Sequence, residues 1–315
     1  SNPELNTKYR DYMSDIISRN EAQVCTSSEQ GWYIPHHGVF HPNKPGKLRV
    51  VFDCSSSYQG YSLNKQLLKG PDLNNNLAGL LCRFRKDKVA VTCDIQKMYH
   101  QFRVAEPDRR YIRFLWYKEN TSEIIDHQMN VHLFGATSSP SCAIFGLKQL
   151  ATDYSEQYPK AASFFHDNFY VDDGLISLST PEEVTQLMSE AKSLAQKGNL
   201  TLHKFQSNDP DVAASLGGDG PTTKDFSATQ DTSRALGLIW DIKEDSFKFS
   251  DKSTDQKPHT RRGILSTVAA VFDPLGFLAP FTLIGKLLIQ DLCKDKLDWD
   301  DPLSEDQERR WNRWL

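Results

Sequence analysis

Between residues 88 and 205, four short runs of strand character alternate with two helical stretches in an order that few folds accept. The run "KVAVTCDI" (88–95) is rich in β-branched and apolar residues. A helix follows near 139–154. Ser139 reads as its N-cap and Pro140 as its first position, and Ile144, Leu147, Leu150, Ala151 and Tyr154 recur at helical spacing. "DNFYVDDGLISL" (167–178) reads as a hairpin, with Asp173-Gly174 as its turn signal. Thr180-Pro181-Glu182-Glu183 is a capping box opening a second helix. Val184, Leu187, Met188, Ala191, Leu194 and Ala195 make its apolar face, and Gly198 ends it. "LTLHKF" (200–205) is the last strand. With the strand pair at 110–131 set aside as an insertion, the order is βαββαβ, the ferredoxin-like pattern. Two right-handed crossovers then place the third strand between the first two, antiparallel to both.

That topology has a chemical consequence. The first strand ends in Asp94, at the sheet edge where the turn joining the second and third strands carries Asp172 and Asp173. Adjacent carboxylates repel, and an apolar hairpin tip is a costly place for charge. A turn accounts for Asp173-Gly174 by itself, but it does not account for Asp94 at the same edge. Three clustered carboxylates cannot all stay ionised without cations. Oxygen-only ligands suit Mg²⁺, and two such ions roughly 3.5–4 Å apart clamp the attacking and leaving oxygens of an in-line phosphoryl displacement.

Other residues fit phosphoryl chemistry, each with a plainer reading beside it. Lys47 and Arg49, on a strand of "KLRVVFD", can bind a triphosphate, although exposed strands often carry such residues. Tyr99, five residues past Asp94, can fill the space beside a sugar 2′ position, where the 2′-hydroxyl separates RNA from DNA; it can equally be a core aromatic. Lys204 on the last strand can donate a proton to leaving pyrophosphate, or simply be a surface lysine.

The charge distribution agrees with a polyanionic partner. The whole chain carries −4, yet residues 41–118 hold fifteen Lys and Arg against six Asp and Glu, so the remainder carries −13. A concentrated basic segment suits a phosphate backbone, although a solvated surface gives the same count. Hydrophobic residues are 38% and charged residues 25%, a globular composition, and no apolar run is long enough to span a membrane. The six cysteines form no C-x-x-C pair, and Cys93 and Cys142 sit in apolar segments as expected core residues. A reducing, intracellular setting follows. Ser1-Asn2, without Met, reads as an expression remnant or an excised piece of a longer chain.

Taken together, residues 47–245 resemble a retroelement reverse transcriptase. "YVDD" (170–173) resembles the family's Y-x-D-D box, and "VTCDIQKMY" the strand with the first catalytic Asp and the sugar-gate aromatic. "KLRVVFD" resembles the fingers strand with its triphosphate-binding Arg, and "HLFGATSSP" the nucleotide-contacting loop before the palm helix. "LTLHK" resembles the motif of the proposed proton-donor Lys, and "LGLIWD" the primer-grip hairpin. "RVVFDCSS", "SLNKQLLKGPDL", "DIQKMYHQF", "LFGATSSPSCA", "ILSTVAAVFDPLGFLAP" and "DWDDPL" are similar to the BEL/Pao class of LTR retrotransposons.

The resemblance implies an α+β, right-hand polymerase: fingers, a ferredoxin-like βαββαβ palm and a helical thumb. Its expected parts are a lead-in and fingers (1–87), a first palm part (88–109), a fingers insertion (110–131), a second palm part with the primer-grip hairpin (132–256), and a thumb or connection (257–315) that ends within its last helix, as a truncated chain would. Asp94, Asp172, Asp173 and Lys204 are the implied catalytic residues. Asp94, Ile95 (through its carbonyl) and Asp172 are the implied ligands of two Mg²⁺, for which Mn²⁺ is an expected substitute. Lys47, Arg49, Ile95, Tyr99, Phe134 and Gly135 are the implied dNTP contacts, and Leu238 and Trp240 the primer grip. One departure stands out: Phe134 holds the place of the Gln that retroviral L-P-Q-G loops place before the Gly, so contact there is expected from stacking or backbone only.

The implied partners are an RNA template, a DNA primer or RNA/DNA hybrid, and dNTPs, with no membrane. The same polyprotein is expected to hold an aspartic protease, RNase H and integrase; the chain shows no D-[ST]-G protease signature, and its tail no acid constellation assignable to RNase H, so neither of these two is expected here. The implied location is intracellular, in cytoplasmic virus-like particles and later the nucleus. Arg261 and Arg262 are the candidate basic face of the thumb. Two other readings stay open: an RNA-dependent RNA polymerase, against which Tyr99 speaks, and a catalytically dead nucleic-acid-binding remnant, against which the three intact Asp speak.

Overall fold

The computed structural model describes residues 3–26, 29–41, 44–119, 121–217, 223–225, 238–249 and 257–315; for residues 3, 41, 44–47 and 223–225 it describes the backbone alone. The chain divides into two compact units, residues 1–205 and 206–315.

In the first unit, α1 (Pro3–Ser18) leads into β1 (Ala22–Val24). β2 (His36–His41) and β3 (Lys44–Phe52) form an antiparallel ribbon with Val39 opposite Arg49. Strand alternation buries Leu48, Val50 and Phe52 on one face and leaves Arg49 on the other, half-exposed. α2 (Leu63–Gln66) and α3 (Leu77–Phe84) follow. The insertion contributes β5 (Arg113–Tyr117) and β6 (Ile124–Met129), after β4 (Val89–Ile95) and α4 (Met98–Gln101). β1 pairs with β6, giving a sheet of order β1-β6-β5. The lead-in is therefore stitched to the insertion, which its polar sequence does not announce, because a three-residue strand is too short to carry a pattern. Met13 and Ile16 of α1 share a core with Phe52, Phe114, Met129 and Leu133.

The palm sheet runs β7 (Phe169–Tyr170), β8 (Asp173–Leu178), β4 and β9 (Leu202–Ser207), in the order β7-β8-β4-β9 that the crossover argument predicts. β4 is an inner strand whose residues are all buried except Asp94, which is why it reads as one continuous apolar run. α5 (Ser139–Asp153), α6 (Pro159–Asp167) and α7 (Pro181–Lys197) pack against one another. Thr180 caps α7 by accepting from Glu183 N–H.

Four local expectations are corrected. The N-cap of α5 is Ser138, not Ser139, which is its first residue and is buried with its hydroxyl 3.5 Å from His132 Nδ1. The hairpin turn is Val171-Asp172 rather than Asp173-Gly174. Gly174 lies in β8 because a Cβ there would stand 2.7 Å from Phe169 and 2.8 Å from the Cys93 sulfur; crowding, not turn geometry, demands a glycine. α6 occupies a stretch to which the sequence assigns no element, since a nine-residue helix gets its stability from burying Ala161, Ala162, Phe164 and Phe165 rather than from propensity. Cys93 is buried as expected, but Cys142 is exposed on α5.

The second unit holds α8 (Pro210–Ser215), the sheet β10 (Thr223–Asp225), β11 (Leu238–Asp241) and β12 (Ser246–Phe249), and helices α9 (Arg261–Ala270), α10 (Ala279–Lys294) and α11 (Glu305–Trp314). Leu238 and Trp240 are both buried, and the Trp240 indole donates to Asp245 Oδ1 at 3.0 Å. Ile264, Val268, Leu288, Leu292, Trp311 and Trp314 form the core of the three-helix segment, and the Ser304–Gln307 capping box starts α11 as its sequence predicts. The division at residue 206 groups the hairpin with the tail helices, whereas the sequence reading carries the palm to 256. Arg261 and Arg262 do not form a free basic face. Arg261 lies over the Trp299 ring, and Arg262 donates two hydrogen bonds to Asp300, at 2.7 and 2.9 Å. Among the described residues, no helix is long and apolar enough to cross a membrane.

Candidate active site

Asp94 is the next-to-last residue of β4 and stands opposite Asp173, the first residue of β8. Tyr170 and Asp173 close the hairpin as opposite residues, so Asp172 occupies the turn between them. The Ile95 N–H donates to the Asp172 carbonyl at 2.9 Å, fastening the turn to the end of β4. Three carboxylates thus share one sheet edge, as the topology predicts. Like charges directly opposite across strands are destabilising by roughly 0.2–1 kcal/mol, so this edge is held against an electrostatic cost.

The backbone there is strained as well. Val171 takes φ 56°, Lys97 φ 50° and Lys204 φ 52°. A two-residue hairpin loop needs positive φ at its first central position, normally supplied by Gly or Asn. A β-branched residue there costs roughly 1–3 kcal/mol, and such outliers gather at functional sites. These three residues flank Asp94 and Asp172 in sequence or across the sheet.

Asp94 is already in contact with a lysine and a histidine. Lys204 Nζ lies 2.6 Å from Oδ2, and His203 Nε2 lies 3.2 Å from Oδ1. Lys204 is 62% exposed, so its ion pair adds at most about 1 kcal/mol to stability. The pair therefore matters for the charge it brings to Asp94 more than for holding the sheet. Sequence reasoning singled out Lys204 and passed over His203, since a lone His on a strand gives no signal until β9 is laid beside β4.

The wall beside the carboxylates is aromatic. Tyr99, in α4, packs against Phe134 with ring centroids 4.7 Å apart and ring planes inclined at 56°. Burial first, and then the Asp172 carboxylate, push the Tyr99 hydroxyl up to about 12. Tyr99 is therefore neutral at any ordinary pH and within electrostatic reach of Asp172. Gly135, next to Phe134, has φ 94°, which its lack of a side chain permits. Asn64, which sequence reasoning missed, clamps this loop: its amide donates to Gly135 O at 2.9 Å and its Oδ1 accepts from Thr137 N–H at 2.9 Å. Arg49 lies on the β2–β3 ribbon with no distance here tying it to the carboxylates, the Lys47 side chain falls outside the described residues, and Leu238 and Trp240 belong to the second unit.

The donor set fits a hard divalent cation. Asp94, Asp172 and the Ile95 carbonyl offer oxygen alone, and the lysine ammonium on Asp94 stands in for a cation at its carboxylate. Among the described residues no three acidic, His or Cys side chains converge closely enough to hold an ion as they stand. The edge supplies the candidate ligands, and Lys204 occupies one oxygen of Asp94.

A palm-like sheet with paired acids at one edge, an aromatic wall and strained turns is the α+β arrangement expected of a polymerase palm. Comparison with known proteins agrees. A family model described as "Reverse transcriptase (RNA-dependent DNA polymerase)" matches residues 41–207, and the chain belongs to that family. A second family model, described as "Pao retrotransposon-like RNaseH-like domain", matches residues 260–315, and the two matches together are consistent with a BEL/Pao LTR retrotransposon reverse transcriptase. The segment so matched is the one expected to be thumb and not RNase H; its residues form the three helices α9–α11.

Among solved structures, the foamy viral protease-reverse transcriptase is similar in fold. A form solved with double-stranded DNA has a TM-score of 0.65 at 14% identity, covering 99% of this chain and 48% of that one. The same protein with an RNA/DNA hybrid has a TM-score of 0.61 at 15% identity, covering 99% and 36%. The chain thus spans about half or less of these chains' length. No match is found among curated proteins.

Proposed function

We propose that this chain copies retrotransposon RNA into DNA, and also copies DNA templates, by transferring nucleotides onto a primer 3′-hydroxyl. The observation that carries the reading is the placement of Asp94 opposite Asp173, with Asp172 in the adjoining turn hydrogen-bonded to Ile95. No stability argument puts three acids there, and a phosphoryl-transfer site does.

Asp94, Asp172 and the Ile95 carbonyl would hold divalent cations, Mg²⁺ or Mn²⁺. Bound there, the ions supply charge neutralisation for a triphosphate and acidify the attacking hydroxyl. The protein's own residues do the rest. Lys204 is withdrawn from Asp94 as ligands form, which leaves its ammonium free to donate a proton to pyrophosphate. Tyr99 and Phe134 wall the sugar, and Tyr99 excludes a 2′-hydroxyl by bulk. Arg49, with Lys47, binds the outer phosphates, and Leu238 and Trp240 support the primer. The foamy viral relative was solved with double-stranded DNA and with an RNA/DNA hybrid; those duplexes are the substrate classes proposed here. The proposed setting of this work is a cytoplasmic particle, alongside RNase H and integrase of the same polyprotein.

The test is primer extension on an RNA template with an annealed DNA primer, dNTPs and Mg²⁺, with wild type beside Asp172→Asn. Extension by the wild type alone supports the reading. Duplex binding without synthesis in Mg²⁺ or Mn²⁺ overturns it in favour of a binding remnant. Duplex affinity should also fall steeply with salt, since Lys and Arg displace condensed counterions; a flat response contradicts the basic 41–118 segment as the binding surface.

A further inference from the structure

The aromatic wall is itself held from behind. His100 follows Tyr99 in α4 and is buried, with its ring centroid 5.3 Å from that of Phe134. Phe134 is therefore in ring contact with two successive residues, Tyr99 and His100. The imidazole Nδ1 of His100 lies 2.9 Å from Glu21 Oε2. Glu21 is a buried carboxylate at the end of the lead-in, just before β1. It is anchored on every side. Arg19 donates to both its oxygens, at 2.6 and 3.1 Å, its N–H donates to Ile16 O, and its carbonyl accepts from Asn130 N–H.

The proton on this hydrogen bond is assigned by chemistry. Burial opposes ionisation of Glu21, but hydrogen bonds from His100 and Arg19 outweigh it and bring the carboxyl down to about 2. An ionised carboxylate only accepts, so His100 Nδ1 must donate. The ring's rotation about Cβ–Cγ is then fixed by a charge-assisted bond, and with it the face His100 presents to Phe134. Asn130, held by Glu21, also accepts from Val104 N–H, and His132 N–H donates to Phe102 O. The strand segments leading to Phe134 and away from α4 are thus tied at the same junction. A core needing only an apolar filler would not place a buried Glu–His pair here, backed by the more exposed Arg19, because removing one partner strands a buried charge.

We propose that Glu21 and His100 are positioning residues for the nucleotide pocket: the lead-in carboxylate sets the His100 ring, His100 sets Phe134, and Phe134 sets the sugar-facing pose of Tyr99. The inference rests on the reading of Tyr99 as the sugar gate. The lead-in segment thereby tunes the choice between deoxynucleotides and ribonucleotides.

The experiment compares single-nucleotide insertion of dNTP and rNTP by wild type, Glu21→Gln, His100→Phe, Tyr99→Val and the double variant Glu21→Gln/Tyr99→Val. Glu21→Gln keeps shape and loses charge, and His100→Phe keeps ring packing and loses the hydrogen bond. Melting temperature is recorded for each. The expected result is a fall of about tenfold in the dNTP/rNTP ratio of kcat/KM for both single variants. The change should appear mainly as a raised KM for dNTP with kcat nearly kept, and Glu21→Gln should add little once Tyr99 is Val. Lowered melting temperatures with an unchanged ratio would overturn the proposal and make the pair a purely structural one. If Tyr99→Val itself leaves the ratio unchanged, the gate reading has failed, and the positioning role fails with it. If one variant does not fold, the other decides.

Discussion

Lys204 Nζ sits 2.6 Å from Asp94 Oδ2, so the carboxylate that ends the central strand is paired with an ammonium from the neighbouring strand. A cation seated at Asp94 Oδ2 would compete with that ammonium. The pair couples ligand binding to the release of a proton donor, since the two cationic groups compete for one carboxylate.

Replacing Lys204 with Ala should therefore have two opposing effects. The divalent metal concentration giving half-maximal activity should fall, because a competitor is gone. At saturating metal kcat should drop by about a hundredfold, in the range expected for a lost general acid. Metal titrations of primer extension check both. A kcat within twofold of wild type would remove Lys204 from the chemistry and leave it a competing counter-charge.

Asp172→Asn should abolish extension, by at least about a hundredfold, while leaving the melting temperature unlowered, because it removes a charge from a crowded edge. A variant that loses activity only together with its fold would show that the acids serve structure.

Tyr99→Val should admit ribonucleotides, raising their kcat/KM relative to dNTPs by roughly tenfold to a hundredfold. Its stability should fall as for an emptied half-buried aromatic site. Insertion assays with matched dNTP and rNTP pairs measure this directly.

Gly174→Ala should destabilise the palm by roughly 1–3 kcal/mol through overpacking. The new methyl meets Phe169, the Cys93 sulfur and Phe164, at 2.7, 2.8 and 3.0 Å. Because the crowded strand is β8, the paired acids should shift with it and activity should fall alongside stability. Urea denaturation gives the free energy, and an unchanged midpoint would contradict the packing.

Acid should weaken the lead-in anchor. The folded carboxyl of Glu21 titrates at about 2, below the ordinary value of 4.5. A depressed carboxylate contributes stability that is fully present above the ordinary value and is lost as pH falls toward the folded one. Between pH 5 and pH 3 the wild type should therefore lose more stability than Glu21→Gln, which has no proton to gain. Parallel melting curves of the two proteins test the sign.

Much of this was written in local patterns. The strand ending in Asp94, the helix capped by Thr180, the hairpin bearing Asp172 and Asp173, and the order β7-β8-β4-β9 follow from periodicity, capping and the handedness of crossovers, all properties of short segments and chain topology. The gathering of the acids is topological and so was legible. What the sequence misassigned were choices between local alternatives that tertiary contacts decide. Asp173-Gly174 has the chemistry of a turn, but the crowding of Phe169, Cys93 and Phe164 around Gly174 draws it into the strand and leaves the turn to Val171. Arg262 reads as a free cation until Asp300, 38 residues on, neutralises it. His203, Asn64 and the Glu21–His100 pair carry no periodic signal, because a hydrogen bond between residues 79 or 109 positions apart leaves no spacing to read. Sequence determined which residues could do chemistry and on which edge they lie; only packing in three dimensions decided what holds them there.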